Sequence, residues 1–130
     1  MSTPTGVVET YFDALGRGDL DAVGSAFADD VVWHQPGTGS LSGTYRGKQE
    51  LFALLGRFVE FSGGSFRIDR VDAIMANDDH VAATLHFSAR RGERAISMDG
   101  VDVFRIAPDG HIAEVWLFSQ DQTAEDEFWG

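Results

Sequence analysis

From residue 66 onward the chain reads as strand-length runs joined by very short turns, and this constrains the fold more than any other feature of the sequence. Residues 66–75, 81–89, 95–106 and 112–119 are parted by Asn77-Asp78-Asp79, Arg91-Gly92-Glu93 and Pro108-Asp109-Gly110. Turns this short join antiparallel neighbours. The first half carries a different period. Val7, Val8, Tyr11, Phe12 and Leu15 recur at three- and four-residue spacing behind a Ser2 or Thr3 cap and Pro4. That pattern predicts a helix, ended by Gly16 and Gly18. Asp19 caps a shorter helix with Leu20, Val23 and Phe27 on its apolar side, broken at Ala28-Asp29-Asp30. Residues 31–35 read as a strand stopped by Pro36-Gly37, residues 37–47 as a glycine-rich loop. Residues 48–61 form a third helix that buries Leu51, Phe52, Leu54, Leu55 and Phe58. Helices ahead of an antiparallel meander describe an α+β fold, three N-terminal helices packed on one face of the sheet, in one domain spanning residues 1–130.

Charge narrows the partners. Twenty-one Asp and Glu against ten Lys and Arg leave a formal net charge of −11. Such a surface repels phosphate backbones and anionic headgroups, so neither nucleic acid nor a membrane is expected as a partner. The absence of cysteine removes thiol nucleophiles and cysteine-based zinc sites. No apolar run approaches the ~20 residues of a membrane span. Residues 1–6 lack the basic and apolar regions of a secretion leader, and a cytoplasmic location is expected. The glycines at 37, 39, 43 and 47 precede no lysine-serine pair, and no Gly-x-Ser-x-Gly elbow occurs. No cofactor is expected.

The last strand run is apolar on both sides. Ile112, Trp116 and Phe118 alternate with Ala113, Val115 and Leu117, whereas a sheet with one wet face alternates apolar with polar. Helices cover one face only. A homodimer packed through Ile112, Trp116 and Phe118 is therefore expected.

Three stretches carry a resemblance. Val7 to Leu15, then Gly18-Asp19-Leu20-Asp21 and Phe27 to Val31, resemble the opening of the NTF2-like superfamily; Val103 to Ile106, Asp109 to Ile112 and Glu114-Val115-Trp116 are similar to its closing hairpin. The match is nearest to the SnoaL-like, polyketide cyclase-like branch. It implies a cone in which a strongly bent antiparallel sheet and three helices enclose one pocket for a small hydrophobic organic ligand. Within the superfamily, ketosteroid isomerase carries a helix-one tyrosine, a carboxylate base before a proline and a protonated late-strand aspartate. The matching positions here are Tyr11, Gln35 and Asp102. An amide has no useful basicity, and general-base catalysis is worth about 10²–10⁴-fold, so ketosteroid isomerisation itself is not expected.

What remains is a phenol and a carboxyl able to polarise a substrate oxygen, with His34 or Asp102 moving the proton. Tyr11, His34 and Asp102 are thus the catalytic candidates. Trp33, Gln35, Phe58, His86, Phe104, Val115 and Leu117 are the expected binding residues; which way His86 faces is open, as is the choice between His34 and Gln35 for the pocket. A metal set of His34, His86 and Asp102 lacks any familiar histidine spacing, and no metal is expected. The pattern fits a cofactor-independent isomerase, cyclase or epoxide hydrolase acting on a small, largely apolar oxygenated molecule. A ligand-binding protein without turnover and a dimerisation module share the same pattern. A pocket of ~300 Å³ left dry would cost roughly 7 kcal/mol, so a pocket here has to be wet, polar-lined or filled.

Overall fold

The computed structural model describes residues 3–130. Met1 and Ser2 lie outside them, and with Ser2 one of the two caps considered above. Thr3 is a cap: its hydroxyl accepts from the Gly6 N–H, and helix α1 runs Pro4–Arg17. Gly16 stays within the helix; Gly18, at φ 68°, takes the left-handed conformation that ends it. Asp19 caps α2 (Leu20–Ala26) by accepting from the Ala22 N–H. No break follows at Ala28-Asp29-Asp30. Phe27 opens strand β1 (Phe27–Gln35), and an irregular register between Phe27 and Val32 carries the exposed acidic pair.

Residues 37–47, read from sequence as a loop, contain strand β2 (Gly43–Arg46), a short, mostly exposed edge paired antiparallel with β1. Glycine-rich composition concealed it. Helix α3 (Gly47–Ser62) buries Leu51, Leu54 and Phe58, while Phe52 is 40% exposed. Strands β3 (Arg67–Asn77), β4 (His80–Arg91), β5 (Arg94–Ile106) and β6 (Ile112–Ser119) form the meander. The acidic C-terminal segment is a fourth helix, α4 (Gln122–Trp129), capped by Asp121.

The sheet corrects the expectation of an antiparallel, strongly bent cone. Its six strands run β2-β1-β6-β5-β4-β3, and β1 pairs with β6 in parallel, Trp33 opposite Val115. Short-turn logic governs consecutive strands only and says nothing about this long-range pair. The sheet is open, with β2 and β3 as unpaired edges, and is not strongly curled. Register shifts along β3 and at Arg105/Ile106 take up its irregularities locally. Because the strands do not wrap the interior, α4 supplies the missing wall. Its Phe128 and Trp129 are buried, and Trp129 packs on Phe58 (ring centroids 4.9 Å), Phe61 (5.5 Å) and Phe66 (6.1 Å).

The shift at Arg105/Ile106 also changes which way Ile112 points. Ile112 is fully buried among Phe27, Ile106 and the helices' core residues, so it does not share the outer face with Trp116 and Phe118. Trp116 is half-buried and Phe118 is 57% exposed. No helix among the described residues is long and apolar enough to cross a membrane.

Candidate functional site

The helices stand off the inner face of the sheet around a cavity of about 500 Å³. Its wall comes from α1 (Tyr11, Phe12, Leu15), α3 (Leu55, Phe58, Val59, Ser62), β1 (Trp33, Gln35), β4 (Leu85, Phe87), β5 (Asp102), β6 (Leu117) and α4 (Glu125, Trp129). Leu20 and Val59, both largely exposed, stand at its open edge. Water therefore reaches the cavity, and the penalty for a dry void does not apply.

Asp102 follows from strand alternation. It sits mid-β5 between Ala83 of β4 and Leu117 of β6, two positions from Phe104 and Gly100 on the same face. A carboxyl among such neighbours loses hydration, and only 8% of the residue is exposed. Burial first, and the nearby charge of Glu125 second, push its pKa from the usual carboxylate range up to about 7. Among the described residues no hydrogen bond to its carboxyl is found, and Asp102 lines the cavity.

Tyr11 falls on the buried stripe Val7, Val8, Tyr11, Ala14 of α1. Its ring meets Phe27 and Phe104 edge-on at 5.4 and 5.6 Å. Burial, then the charge of Asp102, push the phenol far above its ordinary pKa, so it remains an O–H donor throughout the accessible range. Gln35, also buried, accepts from the Trp33 indole N–H at 3.0 Å. That bond occupies the carbonyl oxygen and leaves the amide N–H₂ as a donor on a residue that lines the cavity.

The histidines lie elsewhere. Strand parity sends Trp33 and Gln35 inward and His34 outward, where its Nε2–H donates to Glu114 (2.6 Å) and its ring stacks on Trp116 (5.6 Å). That hydrogen bond, against a smaller opposing effect of burial and with help from Arg105, holds the Glu114 carboxyl below its usual range. His86 is likewise on the outer face, because Leu85 and Phe87 take the inner positions. Its Nδ1–H donates to Asp99 (2.8 Å), and the Ser97 hydroxyl meets Nε2 at 2.7 Å. Phe104 and Val115 point inward but are fully buried behind the cavity, Phe104 against Tyr11 and Phe12. Tyr11, Trp33, Gln35, Phe58, Asp102 and Leu117 are brought together around one cavity. His34, His86, Phe104 and Val115 are not among them.

One group was missed. Glu125 of α4 is buried; its Oε1 accepts from the Ser119 hydroxyl (2.7 Å) and Gln122 (3.1 Å), and its Oε2 from the Trp129 indole N–H (3.3 Å). In sequence it is one acid in an acidic tail. The spacing Glu125, Phe128, Trp129, which puts all three on one helical face, was the available signal. No group of three or more metal-ligating side chains occurs among the described residues.

The sequence resemblance implied a conical pocket protein, and comparison with known proteins identifies the family. The chain belongs to the SnoaL-like domain family, whose model matches residues 8–115. A crystal structure of a protein of unknown function with cystatin-like fold from Xanthomonas campestris is 45% identical over 100% of this chain and 99% of that one, with a TM-score of 0.95. An uncharacterised protein of Mycobacterium tuberculosis is 28% identical across 95% of this chain and 93% of its own length. An NTF2-like protein from Burkholderia xenovorans shares the fold at 23% identity, TM-score 0.83, covering 98% of this chain and 95% of that one.

Proposed function

We propose that this protein is a cofactor-independent acid/base enzyme acting on a small, largely apolar molecule that carries a carbonyl, phenol or epoxide oxygen. One observation carries the reading. Asp102 is a buried carboxyl, bare of hydrogen bonds among the described residues, bordering an apolar cavity, with a pKa pushed up to about 7. A group poised there exchanges protons in either direction near neutral pH, as a general acid or base should. The Tyr11 hydroxyl and the Gln35 amide are donors to the substrate oxygen, where negative charge builds as the proton moves. Trp33, Phe58, Leu117 and Trp129 hold the apolar body. With His34 turned outward, the proton falls to Asp102 alone. Isomerisation, ring closure and hydrolytic epoxide opening share this need for one proton carrier and one polarised oxygen. Gln35 in place of a second base argues against ketosteroid isomerisation.

The test compares wild type with Asp102→Asn across apolar ketones, phenols and epoxides. Turnover should fall about 10²–10⁴-fold with ligand affinity changed far less. Affinity without turnover in the wild type would instead identify a carrier or sensor. Neither, with the cavity intact, would leave a dimerisation module. We also propose a homodimer packed through the outer face at Trp116 and Phe118. Sedimentation should show a mass that rises with concentration, and a monomer at all concentrations would contradict it.

A further inference from the structure

We infer that Glu125 makes helix α4 a working part of the site: its carboxylate positions Trp129 as a cavity wall and acts through Asp102 to set the pH at which the site moves a proton. The inference rests on the acid/base role proposed for Asp102. Three facts of geometry support it. Glu125 is itself buried and borders the same cavity as Asp102. Its three hydrogen bonds, from Ser119 of β6, Gln122 and Trp129, leave it no freedom to turn toward bulk water. The helix that carries it is clasped from the other side: Thr38 donates to Asp126 through both its N–H (3.1 Å) and its hydroxyl (3.2 Å), and the Ser40 hydroxyl donates to the Trp129 carbonyl (2.9 Å). A Cβ at Gly37 would lie 1.9 Å from Asp126 Oδ1, so only glycine permits the clasp.

The other charged groups around the cavity do not cancel this carboxylate. From α1 comes the neutral phenol of Tyr11; α3, β1, β4 and β6 contribute no charged side chain to the wall. From β3, Arg67 and Arg70 reach the rim, but each is paired with its own acid, Asp69 at 3.1 Å and Asp72 at 2.9 Å. A like charge beside a buried carboxyl favours its protonated form. Burial remains the larger cause at Asp102, so removal of Glu125 should lower the Asp102 midpoint without restoring the ordinary carboxylate range.

The experiment is a carbon-detected NMR titration of the protein labelled at aspartate carboxyls, with Asp102→Asn identifying the Asp102 resonance. Wild type should titrate near 7, and Glu125→Gln about one pH unit lower. Because that substitution also disturbs the bond to Trp129, Trp129→Phe is the control: it removes the bond and keeps the charge, and its Asp102 midpoint should stay with the wild type. Equal midpoints in wild type and Glu125→Gln overturn the inference, and so does an equal shift in both variants. The readout needs no turnover. A shifted midpoint in a protein that never turns over substrate would refute the enzymatic reading and leave the electrostatic coupling standing.

Discussion

At the scale of single residues, strand parity decided which of the β1 and β4 candidates reach the cavity. Trp33, His34 and Gln35 are consecutive, and one alternation sends the imidazole to the outer face and the indole and amide to the cavity. The same rule turns His86 away while Leu85 and Phe87 face in. Periodicity lays down this alternation, but a lone sequence does not say which phase faces the helices. Asp102 has a measurable consequence for stability. Its folded pKa of about 7 lies above the ordinary aspartate value of 3.8, so the folded state holds the proton more tightly than the unfolded one. Stability from this group is complete below about pH 4 and is lost as pH rises through 7. The full swing is on the order of 4 kcal/mol. Asp102→Asn should therefore gain stability by urea denaturation at pH 8.5 and change little at pH 4.5. Glu114 has the opposite sign: held low mainly by the His34 hydrogen bond, it loses its contribution as pH falls through its depressed midpoint. Glu114→Gln should flatten the acid limb of the stability curve.

At the scale of elements, the helices were legible because their apolar stripes and caps are local. Thr3, Asp19 and the glycines at 18 and 63 act within a turn of where they stand. Strand β2 and the helical form of α4 were not. Four exposed or half-exposed residues carry no alternation to find, and β2 exists because β1 offers it an edge. Helix α4, at eight residues, is too short to be stable alone. It forms because Phe128 and Trp129 have Phe58, Phe61 and Phe66 to cover. Two substitutions separate cap from packing. Asp121→Ala, which removes the acceptor for the Ala124 N–H, should cost ~1 kcal/mol. Trp129→Ala should cost about 3–5 kcal/mol and weaken ligand binding as well, measured by denaturation and calorimetry on the same samples.

At the scale of the whole molecule, the α+β layout and the helix-covered sheet face were readable from the change in period near residue 66. The parallel β1–β6 pair and the open, gently shaped sheet were not, since both depend on contacts between the two halves of the chain. The interior hollow survives that correction because helix α4, rather than strand curvature, completes its wall. The proposed acid/base function requires that hollow to be a ligand site. Melting temperature across a panel of apolar ketones, phenols and epoxides tests it most directly, with folded Leu117→Trp as the variant whose cavity is filled. At least one compound should raise the melting temperature of the wild type, since binding only the native state stabilises it, and should leave Leu117→Trp unmoved. No shift with any compound, or the same shift in both proteins, would contradict the account.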